Sequence, residues 1–345
     1  MKPTIYDVAK EAGVSTATVS KVINNTGKIG DKTKEKVLRV MEQLNYQPKA
    51  VASAPRGKLS HSIGLLIPDL ANPFFAEFAR SIEDCGRELG YSILICSTDF
   101  QKANELKHSS FLIEKKVDGI IIISGSQDES FIKDLLDKQI PAVIVNKELT
   151  TPLPIDSVSV DDFFGGYEAT KHLLELGHRR IGTIQLGELM LGKERLRGYK
   201  HALEQYEVKY EKSLIFFCSP NATIEESKQI SLEILSSPNR PTAIFAGNDI
   251  LALGVIHAAM ELGLPIPDGL SVIGFDNTVL SAMSNPPLTT MAQSIQDMGR
   301  ISINLLLEGI KGIQRNKQKI QLRPELVIRK TTKGIYSVNS KLITK

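Results

Sequence analysis

Between residues 61 and 330 the chain repeats one pattern: a short, almost unbroken apolar run, then a segment with helical spacing. "SIGLLIP", "GIIIIS", "PAVIVN" and "TAIFAG" are such runs. Each has the length of a strand, and with no polar alternation each is expected to be buried on both faces, so they belong in a parallel sheet covered by helices. Glu88-Leu89-Gly90, Glu175-Leu176-Gly177 and Glu261-Leu262-Gly263 each fall where a helix gives way to a strand. A glycine there supplies the left-handed residue that closes a helix. The first triplet belongs to one half of the segment and the other two to the next, which predicts two similar, doubly wound parallel-sheet subdomains with a cleft between them.

Open parallel sheets bind ligands beyond the carboxyl ends of their strands. Those ends carry Pro68-Asp69 with Asn72 to Phe75, Ser97 to Asp99, Ser124, Asn146, Gln185, Asn248-Asp249 and Asp276-Asn277. Amides and carboxylates converging with an aromatic pair suit a small hydroxylated or heterocyclic ligand. The competing reading is that these Asn and Asp residues cap the helices that follow.

The first 60 residues differ in kind. They hold 11 Lys/Arg against 5 Asp/Glu, net +6, and leave the rest of the chain with 31 of the 42 bases and 34 of the 39 acids, net −3. Basic charge gathered in one small module points to an anionic polymer as partner. "TIYDVAKEAGVSTATVSKVINN" opens with Thr4 and Asp7 at capping-box spacing and sets Ile5, Val8, Ala9 and Ala12 on one helical face. Gly13 ends that helix. Ser15 can cap a second, with Val19, Val22 and Ile23 inward and Thr16, Ala17, Ser20, Lys21 and Asn24 outward. A third helix from Asp31 buries Val37, Leu38, Met41 and Leu44. A helix, a glycine turn and a helix can lay the second helix in the DNA major groove, where Lys21 reaches guanine or phosphate and Thr16 a base edge or thymine methyl.

Other classes fit poorly. No run of about 18 apolar residues and no signal-peptide core are present, so a cytoplasmic protein without a membrane partner is expected. Cys85, Cys96 and Cys218 show no paired or metal-binding spacing. Gly187-x4-Gly192-Lys193 approaches a phosphate-binding loop, but Glu194 stands where magnesium needs a hydroxyl. No zinc-protease or nucleophile-elbow motif occurs. No catalytic residue, metal or cofactor is expected.

"TIYDVAKEAGVSTATVSKVINN" followed by "TKEKVLRVMEQLNYQP" resembles the N-terminus of the LacI/GalR family of bacterial transcription regulators, and "NNTGKIGDKT" and "ILICSTD" resemble its DegA-like branch. The resemblance implies a helix-turn-helix head over 1–47, a hinge over 48–60, a periplasmic-binding-protein-like effector and dimerisation domain over 61–330, and a polar tail over 331–345. It places base reading at Thr16, Ala17 and Lys21, and DNA-backbone contact at Tyr6, Ser15, Thr18, Ser20 and Asn24. It places effector contacts at Phe74, Phe75, Arg195, Asn248, Asp276 and Gln293. Arg195 is the planar clamp for two ligand oxygens, and Asp276 the carboxylate that grips hydroxyls or an N–H. A homodimer on a pseudo-palindromic operator is implied, with the small-residue faces of 76–89 and 249–262 as candidate dimer surfaces. The rival reading is a cytoplasmic solute-binding or sugar-handling protein with a non-specific basic head.

One departure from the family lies in the hinge, "YQPKAVASAPRGKLS". The resemblance implies a short helix whose Val51 and Ala52 meet a dimer mate and whose leucine wedges into the minor groove. That position is Pro55. Proline donates no N–H and crowds the carbonyl of Val51, so such a helix stops or kinks about one turn early. Pro55→Leu is expected to tighten operator binding and increase DNA bending. Unchanged bending in a circular-permutation gel shift refutes this.

Overall fold

The computed structural model describes residues 3–23, 27–46, 59–123, 129–146, 153–187 and 189–335. Asn24, the hinge residues Val51, Ala52 and Pro55, and Ser124 lie outside the described residues. The chain divides into two compact units, Met1–Lys58 and Leu59–Lys345.

The first unit has three helices: α1 (Ile5–Ala12), α2 (Thr16–Ile23) and α3 (Asp31–Gln43). The Asp7 carboxylate accepts from both the backbone N–H and the hydroxyl of Thr4, at 2.8 and 2.7 Å, closing the expected N-terminal box. Gly13 ends α1 at φ 62°. Val8, Ala9, Ala12, Val19, Val22, Val37 and Val40 form the core. Leu38 is 47% exposed, contrary to the sequence expectation. Val40 takes the inward position instead, because it lies one turn beyond Val37 on the face that α1 and α2 cover.

The second unit runs, in chain order, β1 (Ser62–Ile67), α4 (Pro73–Glu88), β2 (Ser92–Ser97), α5 (Lys102–Glu114), β3 (Gly119–Ile123), α6 (Ser130–Asp137), β4 (Ala142–Val145) and β5 (Asp156–Val160). It continues with α7 (Asp162–Glu175), β6 (Ile181–Leu186), α8 (Met190–Gln205), β7 (Ile215–Cys218), α9 (Ile224–Leu235), β8 (Ala243–Ala246) and α10 (Asp249–Glu261). It closes with β9 (Ser271–Asp276), α11 (Val279–Met283), β10 (Thr289–Ala292), α12 (Ile295–Ile310), β11 (Lys319–Leu322) and β12 (Glu325–Val327). Two sheets result, ordered β11-β5-β4-β3-β1-β2 and β12-β10-β9-β8-β6-β7, parallel except where β12 meets β10. β3, β4 and β8 are buried along their whole length, as unbroken apolar runs require. Gly90, Gly177 and Gly263 all have positive φ at helix ends.

The chain crosses between the sheets at β5–α7, at β10–α12 and at β11–β12. The polar segment after 330 is not all tail. Thr331 is fully buried and exchanges hydrogen bonds with Val272 of β9, and His178 holds the Lys333 carbonyl, so 331–335 belongs to the second sheet's half. Most of α10 lies in the core, and the outer face of α4 carries the ion pairs of Arg80 and Arg87 with Glu83 and Asp84.

α7 and α8 approach each other backbone to backbone. A Cβ added at Gly198 would sit 2.1 Å from the Phe163 carbonyl, and one at Gly166 2.1 Å from that of Arg195. Neither obstacle is a side chain that can swing away. Gly198→Ala is expected to cost about 3 kcal/mol through forced separation of the helices, read as a lowered urea midpoint at unchanged slope.

Candidate effector site and DNA-binding face

In the head, Ser15 Oγ accepts from the Thr18 N–H at 3.1 Å and so caps α2, with the two hydroxyls 2.9 Å apart. Thr16, Ala17, Ser20 and Lys21 recur at the spacing of one helical face. Ala17 and Lys21 are exposed, Thr16, Thr18 and Ser20 half-buried, and Tyr6 projects from α1 at 72% exposure. This face combines hydroxyls, a cation and an aromatic ring around a helix N-terminus, a surface suited to phosphate and base edges.

In the larger unit, the second sheet's strand ends and both flanking crossovers converge on Arg195. It is 3% exposed and stacks on the Phe275 ring at 3.6 Å. Its Nε donates to Asp162 Oδ1 at 2.8 Å and its Nη1 donates to the Gly247 carbonyl. The sequence reading leaves this fork open for ligand oxygens. The structure instead uses two of its donors inside the protein, leaving the Nη2 edge. Asp162 carried no signal of its own in the sequence, since the first turn of a helix favours acids anyway. Only the folding of α7 onto α8 brings it to Arg195.

Asp276 stands 3.9 Å from Arg195 Nη1, and its closer partner is Gln293 Nε2, which donates to Oδ1 at 2.6 Å. Gln293 Oε1 accepts from Asn146 Nδ2 at 3.3 Å. This chain runs from β4 of the first sheet, through the β10–α12 crossover, to β9 of the second. Asp276 has φ 109° and Asn277 φ 58°, backbone that side-chain-bearing residues rarely adopt. Behind it, Asp249 Oδ2 accepts from the N–H and hydroxyl of Thr278 at 2.7 and 2.9 Å, while its Oδ1 accepts from Thr290 at 2.6 Å. Those bonds hold the strained turn in place.

Arg195, Asp276 and Gln293 are therefore brought together. Asn248 is adjacent, but its Oδ1 caps α10 by accepting from Leu251 N–H at 2.8 Å, which was the competing reading of that residue. The aromatic pair divides. Phe74 is 5% exposed and part of the core, whereas Phe75 is half-buried, edge-on to Phe74 at 5.3 Å and to Phe100 at 6.3 Å. One turn along α4, Glu77 Oε1 accepts from Val279 N–H at 3.0 Å, a second bond between the two halves. Among the described residues no group of His, Cys, Asp and Glu could hold a metal, and no helix is long and apolar enough to cross a membrane.

A three-helix head with a helix-turn-helix, joined to paired parallel sheets with a polar cluster at their strand ends, is the architecture of a ligand-responsive DNA-binding regulator. Residues 4–49 match the family model described as bacterial regulatory proteins, lacI family, and residues 170–332 match the periplasmic binding protein-like domain. The chain is 46% identical over 336 residues to the HTH-type transcriptional regulator DegA of Bacillus subtilis (strain 168), covering 96% of this chain and 98% of that one. Two solved structures are similar: the lac repressor dimer bound to operator and the anti-inducer ONPF (29% identity, 97% and 100% of the chains, TM-score 0.80), and a complex of the transcriptional regulator CelR with cellobiose (27%, 95% and 99%, TM-score 0.73). The chain belongs to the LacI family of bacterial regulatory proteins, and its relatives are transcriptional regulators rather than enzymes.

Burial, first of all, raises the pKa of Asp276, with Asp249 and Asp162 adding to the rise and Arg195 and Gln293 opposing it. A carboxyl whose folded pKa lies above its unfolded value favours the fold at low pH and loses that contribution as pH rises through the folded pKa. Asp276→Asn removes this loss. The variant's melting temperature is expected to exceed that of the wild type by a margin that widens from about pH 4 to about pH 8. Calorimetry across that range checks it; a margin that shrinks with rising pH contradicts it.

Proposed function

We propose that this protein is a cytoplasmic transcriptional regulator, acting as a repressor, that reads a pseudo-palindromic operator as a homodimer and responds to a small molecule held between its two α/β halves. In the head, Thr16 and Lys21 meet base edges. Ala17 offers only a methyl contact, and Tyr6, Ser15, Thr18 and Ser20 meet the DNA backbone. Asn24, Val51, Ala52 and Pro55 complete that surface by the sequence reading alone. One head spans too few base pairs to select a genomic site, which is why two are needed.

The observation that carries the effector reading is the hydrogen-bonded path Asn146–Gln293–Asp276, which joins the two sheets at the strand ends. A ligand that engages Asp276 and the remaining edge of Arg195, with Phe75 covering an apolar face and Asn248 alongside, competes for the bonds that set the angle between the halves. It shifts DNA affinity by the difference in its preference for the two arrangements. The operator-bound lac repressor dimer and the cellobiose complex of CelR support the two halves of this reading.

Nuclease footprinting on genomic fragments is expected to show protection of a short pseudo-palindrome. Lys21→Ala is expected to weaken it by about 1–3 kcal/mol without unfolding the head. Binding that is salt-dependent but blind to sequence sinks the regulator reading in favour of a solute-binding protein with a non-specific basic head.

A further inference from the structure

The cleft contains more hydrogen-bond acceptors than its one guanidinium can satisfy. Asp162 holds Arg195 Nε at 2.8 Å, and Asp276 stands at 3.9 Å from Nη1, so two carboxyl groups share one cation. In the structure Asp276 accepts from Gln293 Nε2, Gln293 presents Oε1 to Asn146, and Asn146 donates through Nδ2. Asn146 Oδ1 is thereby left buried with no donor among the described residues. Gln185 is in the same condition. Its Nε2 donates to Thr183 Oγ1 at 2.8 Å, and its fully buried Oε1 has no partner among the described residues. That oxygen lies against Gly247, where an added Cβ would be 2.5 Å from it, and the Gly247 carbonyl is the one that holds Arg195. Buried acceptors without donors cost free energy until something supplies an O–H or N–H.

We propose that Asp162 is the specificity-determining residue of this cleft: by pairing with Arg195 it commits the site to uncharged or cationic ligands rich in O–H or N–H donors, and excludes phosphorylated and carboxylated ones. An anion on the Nη2 edge of Arg195 would lie near the Asp162 carboxylate, and its repulsion from that group would offset its attraction to a guanidinium that Asp162 already neutralises. A polyol or nucleoside meets no such penalty, and its donors satisfy Asp276, Asn146 and Gln185. This rests on the reading of the cleft as the effector site.

The test uses the full-length protein and matched probes: D-ribose, D-glucose, cellobiose and adenosine against ribose 5-phosphate, glucose 6-phosphate and AMP, by thermal shift and titration calorimetry. At least one uncharged probe is expected to bind saturably, with its phosphate at least about tenfold weaker. Asp162→Asn is expected to narrow that preference at least about tenfold and Asp162→Glu to restore it. Loss of a merely structural contact would weaken both members of a pair alike. If the Asn variant does not fold, the wild-type comparison decides alone. The inference is overturned if a phosphorylated probe binds wild type as tightly as its parent, if the Asn variant keeps the full preference, or if no uncharged probe binds. In the last case continued protection of a palindromic operator leaves the DNA-binding reading standing; loss of that protection removes it as well.

Discussion

The contact on which the ligand-facing half depends is the one between the backbones of α7 and α8. Gly166 lies directly against the Arg195 main chain, and Gly198 against that of Phe163. With any larger residue the helices would stand further apart, and Asp162, at the start of α7, would not reach the guanidinium on α8. The ion pair, the stacking of Arg195 on Phe275 and the spacing to Asp276 all follow from that approach. A paired guanidinium on an aromatic face, anchored by a backbone carbonyl, has almost no rotational freedom left to lose on binding, which is the condition for a site that discriminates.

A second constraint is imposed by the topology. The chain passes between the sheets at three places, and two of these crossovers supply site residues, Asp162 after β5 and Gln293 after β10. A hinge formed by the connecting strands is thereby wired to the ligand cluster. Asn146, anchored at the end of β4, completes the path from the opposite half. The positive φ of Asp276 and Asn277 costs on the order of 1–3 kcal/mol per residue and persists because Asp249, Thr278 and Thr290 fix the surrounding turn.

Much of the architecture was legible because it rests on local pattern. Unbroken apolar runs identified the central strands, the Glu-Leu-Gly triplets marked helix ends, and the capping box of Thr4 and Asp7 placed the first helix. Strands at or next to a sheet edge were harder. β5, β11 and β12 alternate or are short and polar, since one face or one edge meets solvent, and they exist through long-range pairing rather than local preference. Leu38 and Phe74 show the same limit from the side of packing. Leu38 has a core residue's chemistry but faces outward, and Phe74 packs into the core while its neighbour Phe75 is half-buried.

The sequence by itself determined that this chain has a small basic helical head and a long doubly wound body, that polar residues gather at the strand ends, and which family it belongs to. Those properties are written in composition, period and motif. Tertiary structure decided which of the polar residues act together. Asn248 turned to cap its own helix, Asp162 came forward from a position with no distinguishing signal, and Arg195 committed two of its five donors to the protein. The physical reason is that hydrogen-bond commitment is a matter of distance and orientation between segments far apart in the chain, and a residue's type states only what it can bond, not what it meets.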